Sequence, residues 1–141
     1  MANVKINSIP SNKLQVVESI TEAKQLERKD SGKVFVFDQD AFDINLPKLS
    51  TDIAGWNCTM IRRTGHATNN MLVKPYSGDN STIVYIEMAS NHSGPGSSDI
   101  VVYSTGNGGT NTMCVLKFFT DGAKWYAHLY GQTADTVDSN G

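Results

Sequence analysis

The side chains of this chain that could do chemistry near neutral pH are few and scattered. Histidine alone titrates there without help. His66, His92 and His128 fall in no ligand spacing such as HxH or HExxH, so a metal site would have to be assembled from distant strands. Asp38, Asp40 and Asp43 gather the oxygens a hard cation needs. They lack the fixed glycine and closing glutamate of an EF-hand, and turn formation accounts for them. Gly106-Asn-Gly-Gly109 is rich in glycine like a phosphate loop, but a P-loop needs Gly-Lys-Ser/Thr entering a helix, whereas this stretch leads to a strand. No serine sits in a GxSxG elbow, and neither cysteine has a histidine near it in sequence. Cys58 and Cys114 lie in apolar segments without a CxxC spacing. They read as two buried free thiols, with a disulfide left open should their strands be neighbours. The expectation is a protein with no catalytic residue, no metal and no cofactor, and not an enzyme.

Composition bounds the rest. The chain has 141 residues, 39% of them hydrophobic, enough for one core and so for one domain. Twelve Lys+Arg stand against 14 Asp+Glu for a net charge of -2, which steers it to neither nucleic acid nor an acidic membrane. Residues 1–12 hold no apolar run of the kind a secretory signal needs, and no stretch of about 20 apolar residues marks a membrane helix. The three Asn-x-Ser/Thr triplets, at Asn57, Asn80 and Asn91, are of the number that chance supplies in a chain so rich in Asn, Ser and Thr.

The elements that must position these residues alternate at period two. Val4, Ile6 and Ile9 lie in a weakly alternating, polar stretch that reads as an extended arm over residues 1–18. Ser19-Ile-Thr-Glu22 matches a capping box, and Ile20, Ala23 and Leu26 recur at helical spacing before Asp30-Ser-Gly32, which predicts one short helix. From Lys33 the pattern is that of strands: 33–38, then 42–46 after a tight turn at Gln39-Asp40, then 56–61, 71–74, 82–87, 100–103, 113–119 and 124–130. Gly-, Asn- and Ser-rich separators such as Ser93-Gly-Pro-Gly-Ser-Ser98 read as turns. The predicted fold is all-β: an antiparallel β-sandwich or jelly-roll-like domain of about eight strands over residues 19–131, with a polar tail at 132–141 that ends in the open or against a partner. On the last strand Trp125 alternates with Ala127 and Leu129 and reads as core. Tyr126, His128 and Tyr130 share the opposite face and are candidates for a subunit or glycan contact.

Four pieces in order carry a resemblance: Ser31-Gly-Lys-Val-Phe-Val-Phe-Asp38, preceded by Asp30; Asp43-Ile-Asn-Leu-Pro47; Gly55-Trp-Asn-Cys-Thr-Met-Ile61; and Asp121-Gly-Ala-Lys-Trp125. Their succession of a "DSGK" turn, an "I-x-LP" strand, a glycine opening a third strand and a "DG-x-x-W" turn resembles a module of tailed-phage virion proteins, over roughly residues 19–130. The module occurs in head decoration (cement) proteins and in tail fibres. With no long N-terminal shaft, repeats or heptads, this chain looks more like the former. The resemblance implies a capsid decoration protein, a homotrimer on the outer surface of the capsid that bridges major capsid protein subunits, made in the cytoplasm of a bacterial host. Val4, Ile6 and Ile9 of the arm are then candidate contacts to the shell, since an extended segment can add a strand to a neighbour. The alternative is a receptor- or glycan-binding module of a tail fibre or spike, with Trp125, Tyr126 and Tyr130 as stacking surfaces. A hydrolase or lyase on a cupin-like scaffold needs a His/Glu metal cluster, and Glu87 is the only glutamate beyond residue 27.

Overall fold

The computed structural model describes residues 14–37, 42–62, 71–77, 79, 83–87, 92–97, 99–102, 114–131 and 137–140. Twelve strands run through them: β1 (Val17–Ser19), β2 (Lys24–Gln25), β3 (Val34–Phe37), β4 (Asp43–Asn45), β5 (Asn57–Arg62), β6 (Met71–Lys74), β7 (Ile83–Glu87), β8 (His92–Ser97), β9 (Asp99–Val102), β10 (Cys114–Thr120), β11 (Trp125–Gly131) and β12 (Val137–Asn140). Two 3₁₀ turns, Arg28–Asp30 and Thr51–Ile53, are the helical pieces among the described residues. The first sheet is ordered β1-β3-β5-β10-β11-β7-β8 and the second β12-β9-β6-β4-β2.

The first six strands alternate between the sheets. β1, β3 and β5 lie side by side in one, β2, β4 and β6 in the other, and every neighbouring pair among them is parallel. The chain therefore winds as an interleaved coil, in which each circuit adds one strand to each layer. Val17 lies beside Val34 and Val34 beside Thr59 in one sheet, while Lys24 lies beside Ile44 and Ile44 beside Val73 in the other. The later strands close this coil mainly by antiparallel pairing, β10 with β5 and β11, β7 with β8, and β9 with β6 and β12. β11 joins β7 in parallel.

This winding overturns the expected antiparallel sandwich or jelly roll: the fold is β-rich, but both sheets are mixed. Alternation at period two is the same whichever way a neighbour runs, so it reveals strands without their direction. β3 and β4, read from sequence as joined by a tight turn, belong to different sheets; Gln39-Asp40 itself lies outside the described residues. The short helix is also corrected. Ser19 ends β1, and Lys24–Gln25 forms β2. Ile20 and Leu26 are buried as their spacing suggested, but they follow strands of two different sheets, donating their N–H groups to the carbonyls of Val36 and Asn45. The capping-box geometry occurs one turn later, between Glu27 and Asp30. The stretch 93–98 was expected as a turn, yet β8 covers 92–97 against β7 across a register shift. As an edge of the described sheet, β8 tolerates proline. Within the predicted polar tail, residues 137–140 form β12 on β9.

Inward side chains of both sheets merge into one core that includes Phe35, Met60, Leu116, Phe118 and Trp125 from the first and Ile44 and Val73 from the second. Three of the four sequence motifs meet at one corner of it. Gly32, at φ 81°, donates its N–H to Asn57 O at 2.7 Å, and Asn57 N donates to Ser31 Oγ at 3.3 Å. Gly55 N donates to Thr120 O, and Thr120 N to Trp56 O. Trp56 meets Trp125 edge to face at 5.3 Å and donates its indole N–H to Glu27 O at 3.0 Å. Gly122, at φ 92°, packs so closely on the backbone that a Cβ there would sit 2.8 Å from Ser50 O. Buried Asp30 accepts from Glu27 N and pairs with Lys33 at 2.7 Å. These motif residues shape the chain path at its tightest point.

Candidate functional site

β10 and β11 pair over seven positions, from Cys114 beside Gly131 to Thr120 beside Trp125. Cys114, Leu116, Phe118 and Thr120 are buried on β10, and Trp125, Ala127 and Leu129 on β11. The intervening residues point outward. The register sets Phe119 beside Tyr126, Lys117 beside His128 and Val115 beside Tyr130. Rings therefore line up across the outer face. Phe119, 42% exposed, stacks on Tyr126 at 5.2 Å with the planes 16° apart and meets His128 edge to face at 6.0 Å. His128 meets Tyr130 edge to face at 6.1 Å, with Tyr130 Oη 3.3 Å from His128 Nδ1. Lys117 Nζ lies 6.0 Å from the Tyr130 ring centre, within cation–π range. Partly exposed aliphatics extend the surface: Ile61 beside Val115, and Val84 beside Tyr126.

One end of this row is anchored at the Asp121 turn. Asp121 Oδ1 accepts from the N–H groups of Lys124 and Ala123, and Tyr126 Oη donates to Oδ2 at 3.0 Å. These bonds, the backbone donors foremost, hold the Asp121 carboxyl below its usual pKa, and the same tyrosine–carboxylate bond raises the Tyr126 phenol. Tyr126 is thus fixed at both its ring and its hydroxyl. The resulting surface is borne on paired strands and rich in rings, suited to contact rather than to enclosing a small substrate.

Tyr126, His128 and Tyr130, singled out from sequence, are brought together here. Their β10 partners Phe119 and Lys117 were missed. The available signal was Phe118-Phe119 in an alternating strand, where one of the two rings must point out. Val4, Ile6 and Ile9 of the arm lie outside the described residues, as do His66, Asp38 and Asp40. His92 begins β8. Asp43 pairs with Lys74 at 2.8 Å, and among the described residues no group of three His, Cys, Asp or Glu is placed to hold a metal ion. Cys58 and Cys114 are buried and free. β5 and β10 are neighbours, but Cys58 stands beside Phe118 and Cys114 beside Arg62, four positions apart, about 13 Å at strand rise and beyond the reach of a disulfide. Burial pushes the Cys58 thiol up strongly and the Cys114 thiol up to about 11.

The other charged cluster holds β1 in place. Glu18 pairs with Lys24 and, at 2.9 Å, with Lys33, which also reaches Asp30. Hydrogen bonds from the two lysines lower the Glu18 carboxyl, and bonds to Asp30 and Glu18 raise the Lys33 ammonium. These four groups join the first circuit of the coil to the Asp30–Lys33 turn and satisfy one another.

The chain matches no family model, no curated protein and no solved structure. Its site is therefore read from its own geometry.

Proposed function

We propose that this chain is a structural protein of a tailed-phage virion. It decorates the capsid exterior by binding major capsid protein subunits, as a homotrimer, and it binds without catalysing. The observation that carries the contact role is the Phe119–Tyr126–His128–Tyr130 row on the outer face of the first sheet. A partly exposed row of rings on paired strands is where association energy is available. The virion setting rests on the four ordered motifs and their resemblance to the phage module. A cement protein works through many modest contacts repeated over a shell, so avidity supplies the stability that no single deep pocket need provide.

A glycan-binding tail module draws less support from the same rings. Phe119 and Tyr126 each spend one face on the other, and sugar recognition needs an open ring face with polar neighbours. Immunogold labelling of intact particles with antibody to this chain separates the two readings. Label over heads is the expected result, label confined to tail tips favours the glycan module, and unlabelled particles remove the virion reading.

A further inference from the structure

The two sheets present unlike outer faces. On the second, Asp43 and Asn45 of β4 alternate with buried Ile44, and Lys74 of β6 follows buried Val73. Its charges are matched across strands by the Asp43–Lys74 pair. On the first sheet the described outward side chains of β10 and β11 are Val115, Phe119, Tyr126, His128 and Tyr130 around one full charge, flanked on β5 by Asn57, Thr59 and Ile61. Lys117 lies between Thr59 on one side and His128 on the other. It has no ion-pair partner among the described residues, and its ammonium lies over the Tyr130 ring. The nearest carboxylate on the β10–β11 hairpin, Asp121, is already engaged by two backbone N–H groups and Tyr126.

We infer that the chain seats on its partner through the outer face of the first sheet, with Lys117 meeting an aspartate or glutamate of a different protein inside an apolar contact, and with the second sheet turned to solvent. This rests on the reading of the chain as a virion protein and names the face and the partner chemistry. Charge argues against a second copy as the occupant. Two such faces laid together would bury ammonium groups with no described acid between them, and burying an unpaired ammonium costs several kcal/mol. A partner offering a carboxylate amid apolar surface removes that cost, and the stacked rings supply the dry surround that strengthens the pair.

Zero-length carbodiimide coupling on purified particles tests this, because it joins an ammonium to a carboxylate only where the two touch. The expected product, read by peptide mass spectrometry, links Lys117 to an Asp or Glu of another virion protein. In particles built with Lys117→Glu chain, the copy number should fall about tenfold, corresponding to about 1.4 kcal/mol. Lys74→Glu, on the opposite sheet, should leave copy number unchanged, with circular dichroism confirming that both variants fold. A Lys117 link to a second copy of this chain overturns the inference, as does full occupancy by Lys117→Glu without any Lys117 link. Both of those outcomes leave the chain on the particle and the virion reading intact. Particles that carry no copy of the unmodified chain overturn both.

Discussion

Two regions built from the same strands behave in opposite ways. At the corner where Gly32, Gly55, Trp56, Gly122 and Trp125 meet, backbone N–H groups and the Trp56 indole donate within the chain, the backbone adopts positive φ at three glycines, and Trp125 is wholly buried, its own indole N–H without a hydrogen-bond partner among the described residues. A few residues away along β10 and β11, Phe119 stands 42% exposed, and Lys117 reaches over a ring. The corner contains three of the four recognisable motifs, and the open face contains none. Motif residues here fix a fold, while the surface available to a partner is written in residues whose only pattern is alternation. Resemblance carried by the corner consequently speaks to architecture, and contact must be argued from the face.

That division can be broken by measurement. Trp125→Ala removes the largest buried side chain of the corner and should cost about 3–5 kcal/mol in urea unfolding. A loss below about 1 kcal/mol would mean that the corner contributes little to the core. Gly122→Ala forces a Cβ to within 2.8 Å of Ser50 O at a φ of 92°, and its expected cost is about 1–3 kcal/mol. Phe119→Ala and Tyr126→Ala should each change stability by no more than about 1.5 kcal/mol, the scale of a single aromatic pair, while lowering particle occupancy. Stability losses as large as that of Trp125→Ala would make the face a part of the core.

Smaller effects sharpen the same contrast. Glu18 has its carboxyl lowered by Lys24 and Lys33. Its contribution is present above its ordinary value of 4.5 and is lost as pH falls through the lowered folded value. Glu18→Gln should therefore reduce the acid-side slope of stability, by no more than about 1 kcal/mol because solvent reaches the pair. Smallest of all is the thiol response: neither Cys58 nor Cys114 should react with Ellman's reagent at pH 8 in the folded protein, and both should react in denaturant. Rapid labelling of the native chain would show that β5 and β10 open readily.

Some of this was legible beforehand. Period two located β5, β10 and β11, and a spacing of two put Tyr126, His128 and Tyr130 on one face opposite Trp125, Ala127 and Leu129. Phe119 and Lys117 escaped because membership of a face across strands depends on register, which is set by residues far apart in the chain. Strand direction escaped for a related reason, since Val34 pairs with Val17 on one side and Thr59 on the other, and nothing local to Val34 records which way those neighbours run. The helical spacing of Ile20, Ala23 and Leu26 misled because two buried residues that each follow a strand, one in either sheet, can mimic a helix face. Glycine and proline at 94–96 suggested a turn, while an edge position let β8 accommodate them.

The interleaved coil also bears on how the molecule is made. The described sheet partners of β1 and β2 are β3 and β4, and β5 is complete on its outer side only when β10 arrives from more than 50 residues downstream. A nascent chain released before Thr120 would lack the strand at the centre of the first sheet, so its early circuits have little to hold them. The first sheet closes only when these distant segments pair, which makes its folding slow.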